Sequence, residues 1–116
     1  MSTYTIYHNP RCSKSRQTLA MLNERGIEPE IVEYLKSPLS VGELQSLRQK
    51  LGAPALAMIR SKEQAFKDLG LNDGQPSDAS LLEAIATHPV LLERPIVVCA
   101  DNAVIGRPPE NVLELL

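Results

Sequence analysis

One cysteine near the start of the chain lies among positively charged side chains. Cys12 is the central residue of the sequence His-Asn-Pro-Arg-Cys-Ser-Lys-Ser-Arg, residues 8–16, which contains no acidic residue. The chain as a whole is mildly acidic, with a formal net charge of −2 at pH 7. Cations lower the pKa of a nearby thiol because they stabilise the thiolate, which is the nucleophilic form. This segment therefore predicts a reactive cysteine.

Three features of the segment favour the thiolate of Cys12. A free thiol is only ~3% ionised at pH 7, and lowering its pKa by two units requires about 2.7 kcal/mol. A helix predicted to begin just after the cysteine contributes roughly 0.3–2 kcal/mol of this. Arg11, Lys14 and Arg16 add positive charge, and Ser15 adds a hydroxyl donor. The same cations and helix N–H groups attract anions, so they also favour an anionic substrate.

The elements that must position this cysteine can be predicted from the sequence pattern. The predicted strands are residues 3–7, 30–35, 96–100 and 103–105. The predicted helices are residues 13 or 15 to 25, 40–52, 54–59, 63–69, 77 or 78 to 88, and 110–115. Ser40 and Glu43 form a capping-box pattern at the start of the second helix. A polar loop is predicted over residues 71–76, and Asp101–Asn102 is predicted to turn the last two strands into a hairpin.

The order of these elements is β-α-β, inserted helices, then β-β-α. This order is typical of a thioredoxin-like α/β fold, with a four-stranded mixed sheet. In such a sheet the loop before the third strand faces the cysteine, and its proline is typically cis. We therefore predict a cis bond before Pro95, with Arg94 beside Cys12. Arg107 ends the neighbouring strand and is expected to join them.

Ser15 stands where thioredoxin-like proteins often carry a second cysteine. We therefore expect one thiol that attacks an electrophile and needs the thiol of another molecule to resolve the product. The alternative interpretation is a small buried cysteine with no chemical role. A phosphatase loop would carry an arginine six residues after the cysteine, but Thr18 occupies that position.

The other candidate groups are His8 and Cys99. His8 lies four residues before Cys12, where an imidazolium would stabilise the thiolate and a neutral ring would only pack at the strand end. The sequence leaves both interpretations open. Cys99 lies within an apolar strand and is expected to be an inert core thiol rather than the disulfide partner of Cys12. The histidines and cysteines have no metal-ligand spacing, so we expect no metal.

Length and composition limit the remaining function classes. The 116 residues fit one domain spanning residues 1–116. A net charge near zero gives no general attraction to nucleic acid, and nine prolines with an aromatic content of 3% argue against a stacking surface for single strands. No apolar run approaches the roughly 18 residues that cross a membrane. The first residues lack the pattern of a signal peptide, and cysteines are few, so we expect a cytoplasmic monomer without a bound cofactor.

Three motifs resemble the glutaredoxin-linked arsenate reductase family. They are Ile-Tyr-His-Asn-Pro-x-Cys-x-x-Ser-Arg over residues 6–16, Glu-Arg-Pro-Ile-Val-Val over residues 93–98, and Gly-Arg-Pro over residues 106–108. The resemblance covers essentially the whole chain and is strongest to the short, poorly characterised branch. Longer members carry a C-terminal extension, whereas this chain stops at Leu116. Arg11 and Lys14 also replace the small or neutral residues that are usual in the longer members.

The resemblance implies a specific reaction. Cys12 would match the nucleophile that attacks arsenate, or a similar oxyanion, and His8 and Ser15 the residues that support its thiolate. The arginines that hold the oxyanion and the arsenic–thiolate intermediate would be Arg60, Arg94 and Arg107. Glutathione, as co-substrate, would then attack the adduct, glutaredoxin would supply the electrons, and arsenite would leave.

Two other functions stay open from the sequence. One is a general thiol oxidoreductase that acts on glutathione mixed disulfides. The other is a regulator that binds RNA polymerase, as in the transcription-factor branch of the same superfamily. Such regulators typically carry a Cys-x-x-Cys switch, and Ser15 replaces its second cysteine here.

Overall fold

The computed structural model describes residues 3–71, 74 and 76–116. The chain divides into two compact units: a first unit, Met1–Ser37 and Arg94–Leu116, of which the described part begins at Thr3, and a second unit, Pro38–Glu93. Of the predicted loop over residues 71–76, Asn72, Asp73 and Gln75 lie outside the described residues. No helix among the described residues has the length and apolar character needed to cross a bilayer.

The first unit is built on the predicted four-stranded mixed sheet, which is confirmed. Its strands are β1 (Tyr4–Tyr7), β2 (Glu30–Val32), β3 (Ile96–Cys99) and β4 (Asn102–Ile105), in the spatial order β2-β1-β3-β4. Helix α1 (Ser13–Glu24) connects β1 to β2, and these two strands are parallel. The β1–β3 and β3–β4 pairs are antiparallel.

The core of the first unit explains why these segments form strands and a helix. Ile6, Leu22, Val97 and Val112 are completely buried together. Ile6 and Val97 pair directly across β1 and β3, and β-branched residues suit this pleated, buried surface. Leu22 comes from α1, and Val112 from the last 3₁₀ helix, Pro109–Leu115. That segment was predicted to be a short helix, and it is helical in the tighter 3₁₀ form.

Most predicted boundaries in the first unit lie within one residue of the observed ones, but the end of β2 and the turn of the last hairpin need an explanation. β2 stops at Val32 instead of residue 35 because the backbone N–H groups of Lys36 and Ser37 both donate to the carbonyl of Glu33, which closes a turn. The β3–β4 hairpin turns at Ala100–Asp101, because Cys99 pairs with Asn102 and leaves a loop of the favoured two-residue length.

The second unit is helical. Its elements are α2 (Val41–Leu51), α3 (Gln64–Asp68) and α4 (Asp78–Thr87), with 3₁₀ helices at Ala55–Met58 and Pro89–Leu91. The capping box at the start of α2 is confirmed: Ser40 Oγ accepts the N–H of Glu43, and the Glu43 carboxylate accepts the N–H of Ser40. Gly52 ends α2 in the left-handed conformation, with φ 64°.

Candidate active site

Cys12 is positioned by a short turn between β1 and α1. The N–H of Cys12 donates to the carbonyl of Asn9 at 3.0 Å, and the N–H of Arg11 donates to the side-chain oxygen of Asn9, also at 3.0 Å. Cys12 is the N-cap residue of α1, in an extended conformation with φ −91° and ψ 123°. Its thiol is partly exposed. The turn therefore presents the thiol at the positive end of a helix.

Two arginines from the other end of the sequence meet at this cysteine. Arg107 Nη2 lies 3.4 Å from Cys12 Sγ, as a hydrogen-bond donor to the sulfur. Arg107 Nε donates to the backbone carbonyl of Arg94 at 2.7 Å, so the backbone of Arg94 orients the side chain of Arg107. The Arg94–Pro95 peptide bond, which the sequence singled out, is cis. The Arg107–Pro108 bond is also cis, which the sequence analysis did not anticipate.

The pKa of the Cys12 thiol is lowered by this environment. Partial burial is the largest single influence on this pKa, and it acts to raise it. The backbone N–H of Ser15, the hydrogen bond and charge of Arg94, and the backbone N–H of Lys14 act in the opposite direction and together outweigh burial. The thiolate is thus favoured mainly by helix N–H groups and by a guanidinium that is distant in sequence.

His8 and Ser15 form a buried pair beneath the turn. His8 Nδ1 lies 2.6 Å from Ser15 Oγ, and the N–H of Asn9 donates to the same oxygen at 3.1 Å. Burial lowers the pKa of His8; Glu33 opposes this shift and Arg16 adds to it. Of the two interpretations of His8, the neutral ring is therefore favoured at neutral pH. Its contribution to the thiolate stays a prediction, as does that of Ser15.

The three cations near Cys12 in sequence are exposed in the structure: Arg11, Lys14 and Arg16. Arg16 Nη1 donates to the carbonyl of Pro10 at 3.0 Å, so this side chain folds back over the turn. Their predicted role in attracting anions stays a prediction.

Arg60 belongs to the second unit and lies beside two carboxylates. Its Nε is 3.0 Å from Glu63 Oε1, and its Nη1 is 3.2 Å from Glu93 Oε1. The residue pattern gave no sign of these ion pairs, although Glu93 is adjacent to Arg94 in the second motif. The assignment of Arg60 to an oxyanion site stays a prediction.

Gly106 is a residue whose importance the sequence analysis missed. A Cβ atom at this position would lie 2.7 Å from Thr18 Oγ1 and 2.9 Å from Pro95 Cγ. The backbone of Gly106 also donates to the carbonyl of Pro95 at 2.8 Å. The chain just after β4 therefore lies so close to α1 and Pro95 that only glycine fits at position 106. The glycine of the Gly106-Arg107-Pro108 motif was the feature of the sequence that could have indicated this close approach.

Cys99 lies at the other end of the sheet from Cys12. It pairs with Tyr4, the first residue of β1, whereas Cys12 follows the last residue, Tyr7. At about 3.4 Å per residue, the two ends of β1 are roughly 10 Å apart, and the two cysteines lie near opposite ends. A disulfide needs Cα atoms within about 7 Å of each other. The expectation that Cys99 is a buried core thiol is consistent with its exposure of 8%.

Comparison with known proteins now identifies the family. The model of the ArsC family matches residues 7–115. The chain belongs to the ArsC family. Its match includes every residue of the cysteine site described above, from His8 to Arg107. The resemblance drawn from the three motifs is thereby confirmed.

Relatives in the ArsC family share both sequence and fold with this chain. A Haemophilus influenzae protein named arsenate reductase is 53% identical over 112 residues, which cover 96% of this chain and 97% of the relative. A protein of Neisseria meningitidis serogroup A named arsenate reductase is 49% identical over an alignment of 117 positions, which covers 100% of this chain and 100% of the relative. The structure of an arsenate reductase from Vibrio cholerae superposes with a TM-score of 0.95 at 53% identity, covering 99% of this chain and 98% of that one.

Proposed function

We propose that this ArsC-family protein reduces arsenate to arsenite, with Cys12 as the single nucleophile and with glutathione and glutaredoxin as electron donors. The observation that carries the proposal is the 3.4 Å contact between Arg107 Nη2 and Cys12 Sγ, at a thiol whose pKa is lowered. The names of the relatives reported above support arsenate as the substrate. Guanidinium groups beside a thiolate suit a reaction between sulfur and a tetrahedral oxyanion.

The first step is an attack of the Cys12 thiolate on arsenic. A sulfur–arsenic bond forms, and one arsenate oxygen leaves as water after protonation. Arg94 and Arg107 are the groups that would bind the remaining oxygens, and they also offset the negative charge that would repel an anionic substrate from a thiolate. The helix N–H groups at Cys12 contribute to the same site. Arg60 is proposed as the third oxyanion-binding arginine.

The electrons must come from outside the chain. The sequence contains one other cysteine, Cys99, and it lies at the opposite end of the sheet. The thiol of glutathione would therefore attack arsenic in the adduct and release a second water. The glutaredoxin thiolate would then attack the glutathione sulfur, leaving the electron pair on arsenic, which passes from As(V) to As(III). Water would then hydrolyse the bond between Cys12 and As(III), which releases arsenite, regenerates the Cys12 thiol and consumes one of the two waters released before. With a second glutathione resolving glutaredoxin, arsenate and two glutathiones yield arsenite, glutathione disulfide and one water.

The supporting residues have separate roles in this proposal. Ser15 holds the turn that presents Cys12, because its Oγ accepts the backbone N–H of Asn9. The neutral ring of His8 shares a hydrogen bond with the same Oγ and so keeps Ser15 in place. The exposed cations Arg11, Lys14 and Arg16 raise the local concentration of anions around the site.

The test is a coupled assay that follows NADPH consumption with arsenate, glutathione, glutathione reductase and glutaredoxin. Wild type is compared with Cys12→Ser and with Cys99→Ser, which removes the other thiol as a matched control. We expect arsenate-dependent turnover in wild type and Cys99→Ser, and its loss in Cys12→Ser.

Two results would contradict the proposal. Turnover in Cys12→Ser would remove Cys12 from the mechanism. The absence of arsenate turnover in wild type with a folded, reactive Cys12 would exclude arsenate. In the second case, Cys12-dependent reduction of glutathione mixed disulfides would select the general thiol oxidoreductase instead.

A further inference from the structure

A cavity of about 220 Å³ in the first unit borders the turn that carries Cys12. Its walls come from two segments, the turn at residues 8–11 and the turn that follows β2 at residues 33–36. Binding sites for whole small molecules usually have roughly 300–1,000 Å³. This cavity is therefore suited to one end of a small ligand whose other end reaches Cys12, the residue next to Arg11 in sequence.

The charges around the cavity have a defined pattern. Arg11 lines it from the first turn and Lys36 from the second, so cations are contributed by both segments. Glu33 supplies a carboxylate between them, and its Oε1 is 3.6 Å from Lys36 Nζ. Pro10 and Leu35 add apolar wall surface. Two cations and one carboxylate complement a group that carries one carboxylate and one ammonium, which is the α-amino-acid end of a peptide.

We propose that this cavity is the subsite for the thiol donor and holds the α-amino-acid end of the γ-glutamyl residue of glutathione. Arg11 and Lys36 bind the α-carboxylate, and Glu33 binds the α-ammonium. The choice of glutathione rests on the function proposed above. With this assignment, Arg11 binds the thiol donor glutathione in addition to attracting arsenate.

The subsite can be tested without arsenate, through thiol–disulfide exchange. The Cys12 thiolate attacks glutathione disulfide, a new S–S bond forms between Cys12 and one glutathione, and the other glutathione leaves as a thiolate. The rate, measured by intact mass, is compared with that for bis(2-hydroxyethyl) disulfide, which is uncharged. The ratio of the two rates cancels any change in the reactivity of Cys12 itself.

The variants are Arg11→Gln, Lys36→Gln and the double variant, with Arg25→Gln as the charge-matched control. Arg25 is an exposed cation of the first unit that does not line this cavity. We expect the rate ratio to fall about fivefold or more in the double variant, since each exposed cation contributes modestly to the binding of an anion. Arg25→Gln is expected to change the ratio less than about twofold, and Lys36→Arg to retain it.

Three results would overturn the subsite: no preference of the wild type for glutathione disulfide, an unchanged ratio in the double variant, or an equal fall in Arg25→Gln. Because the exchange reaction contains no arsenate, a failure of the arsenate proposal leaves this test intact. If arsenate is reduced, the double variant should also raise the KM for glutathione by a larger factor than the KM for arsenate.

Discussion

Cys12 and Cys99 are the two cysteines of this chain, and they occupy opposite chemical environments. Cys12 caps α1, is partly exposed and has a guanidinium nitrogen 3.4 Å from its sulfur. Cys99 ends β3, is 8% exposed and lies opposite Tyr4. A helix terminus and distant arginines thus distinguish a thiol that favours the thiolate from a thiol that packs in the core. Because both residues are cysteines, the difference comes from their surroundings alone.

The largest expected effect is the difference in reactivity between the two thiols. With iodoacetamide at pH 7, Cys12 of the native protein should react at least about 100-fold faster than Cys99, because it is exposed and favours the thiolate. A time course of peptide mass spectra measures both rates. In denaturant the two rates should converge, and equal rates in the native protein would break the comparison.

Gly106→Ala should destabilise the protein by about 1–3 kcal/mol, because the new methyl group overlaps Thr18 and Pro95. The displacement should also move Arg107 from Cys12 and slow the alkylation of Cys12. Urea denaturation gives the free energy of unfolding. The control is Ala103→Gly, which alters β4 without adding a methyl group and should leave the alkylation rate of Cys12 unchanged. Full stability in Gly106→Ala would contradict the close approach.

Arg94→Gln should slow the alkylation of Cys12 at pH 7 by roughly five- to tenfold. The hydrogen bond and charge of Arg94 act to lower the pKa of this thiol, so their removal raises it and leaves less thiolate at fixed pH. The midpoint of the pH–rate profile should accordingly move to higher pH. The alkylation rate of Arg94→Lys, which keeps the charge, should lie between those of wild type and Arg94→Gln. An unmoved midpoint in Arg94→Gln would argue against a role of Arg94 in lowering the thiol pKa.

The same lowered pKa has a consequence for stability. The folded state favours the Cys12 thiolate, so ionisation of this thiol stabilises the folded protein. This stabilisation is complete above the ordinary thiol pKa of about 8.5 and is lost as the pH falls through the lowered pKa. The stability difference between wild type and Cys12→Ser should therefore grow from pH 5 to pH 9 in urea titrations. A constant difference would contradict the pKa shift.

The smallest expected effect is that of Cys99→Ala. It removes one buried sulfur from β3, which should cost about 0.5–1.5 kcal/mol, as other small truncations in a core do. The alkylation rate of Cys12 should not change. A large loss of Cys12 reactivity in this variant would mean that the two ends of the sheet are coupled.

Much of the fold was predictable because its signals are local. The capping box of Ser40 and Glu43 marks the start of α2, and Gly52 marks its end, within a few residues of each. The β-α-β unit follows from alternating patterns and short connections. The hairpin turn was misplaced by one residue, since the pairing of Cys99 with Asn102 depends on the whole strand register.

For the site, the sequence by itself determined the position of the candidate thiol: a cysteine after an Asn-Pro break, at the start of a helix, is specified by residues 9–15. Tertiary structure decided its surroundings. Arg107 reaches Cys12 across 95 positions of sequence, through strand pairing and the approach that Gly106 permits. Burial decided that His8 favours its neutral form, and the carboxylates of Glu63 and Glu93 decided the environment of Arg60. Charge state and ion pairing depend on solvent exposure and on neighbours in space, which a residue pattern along the chain does not specify.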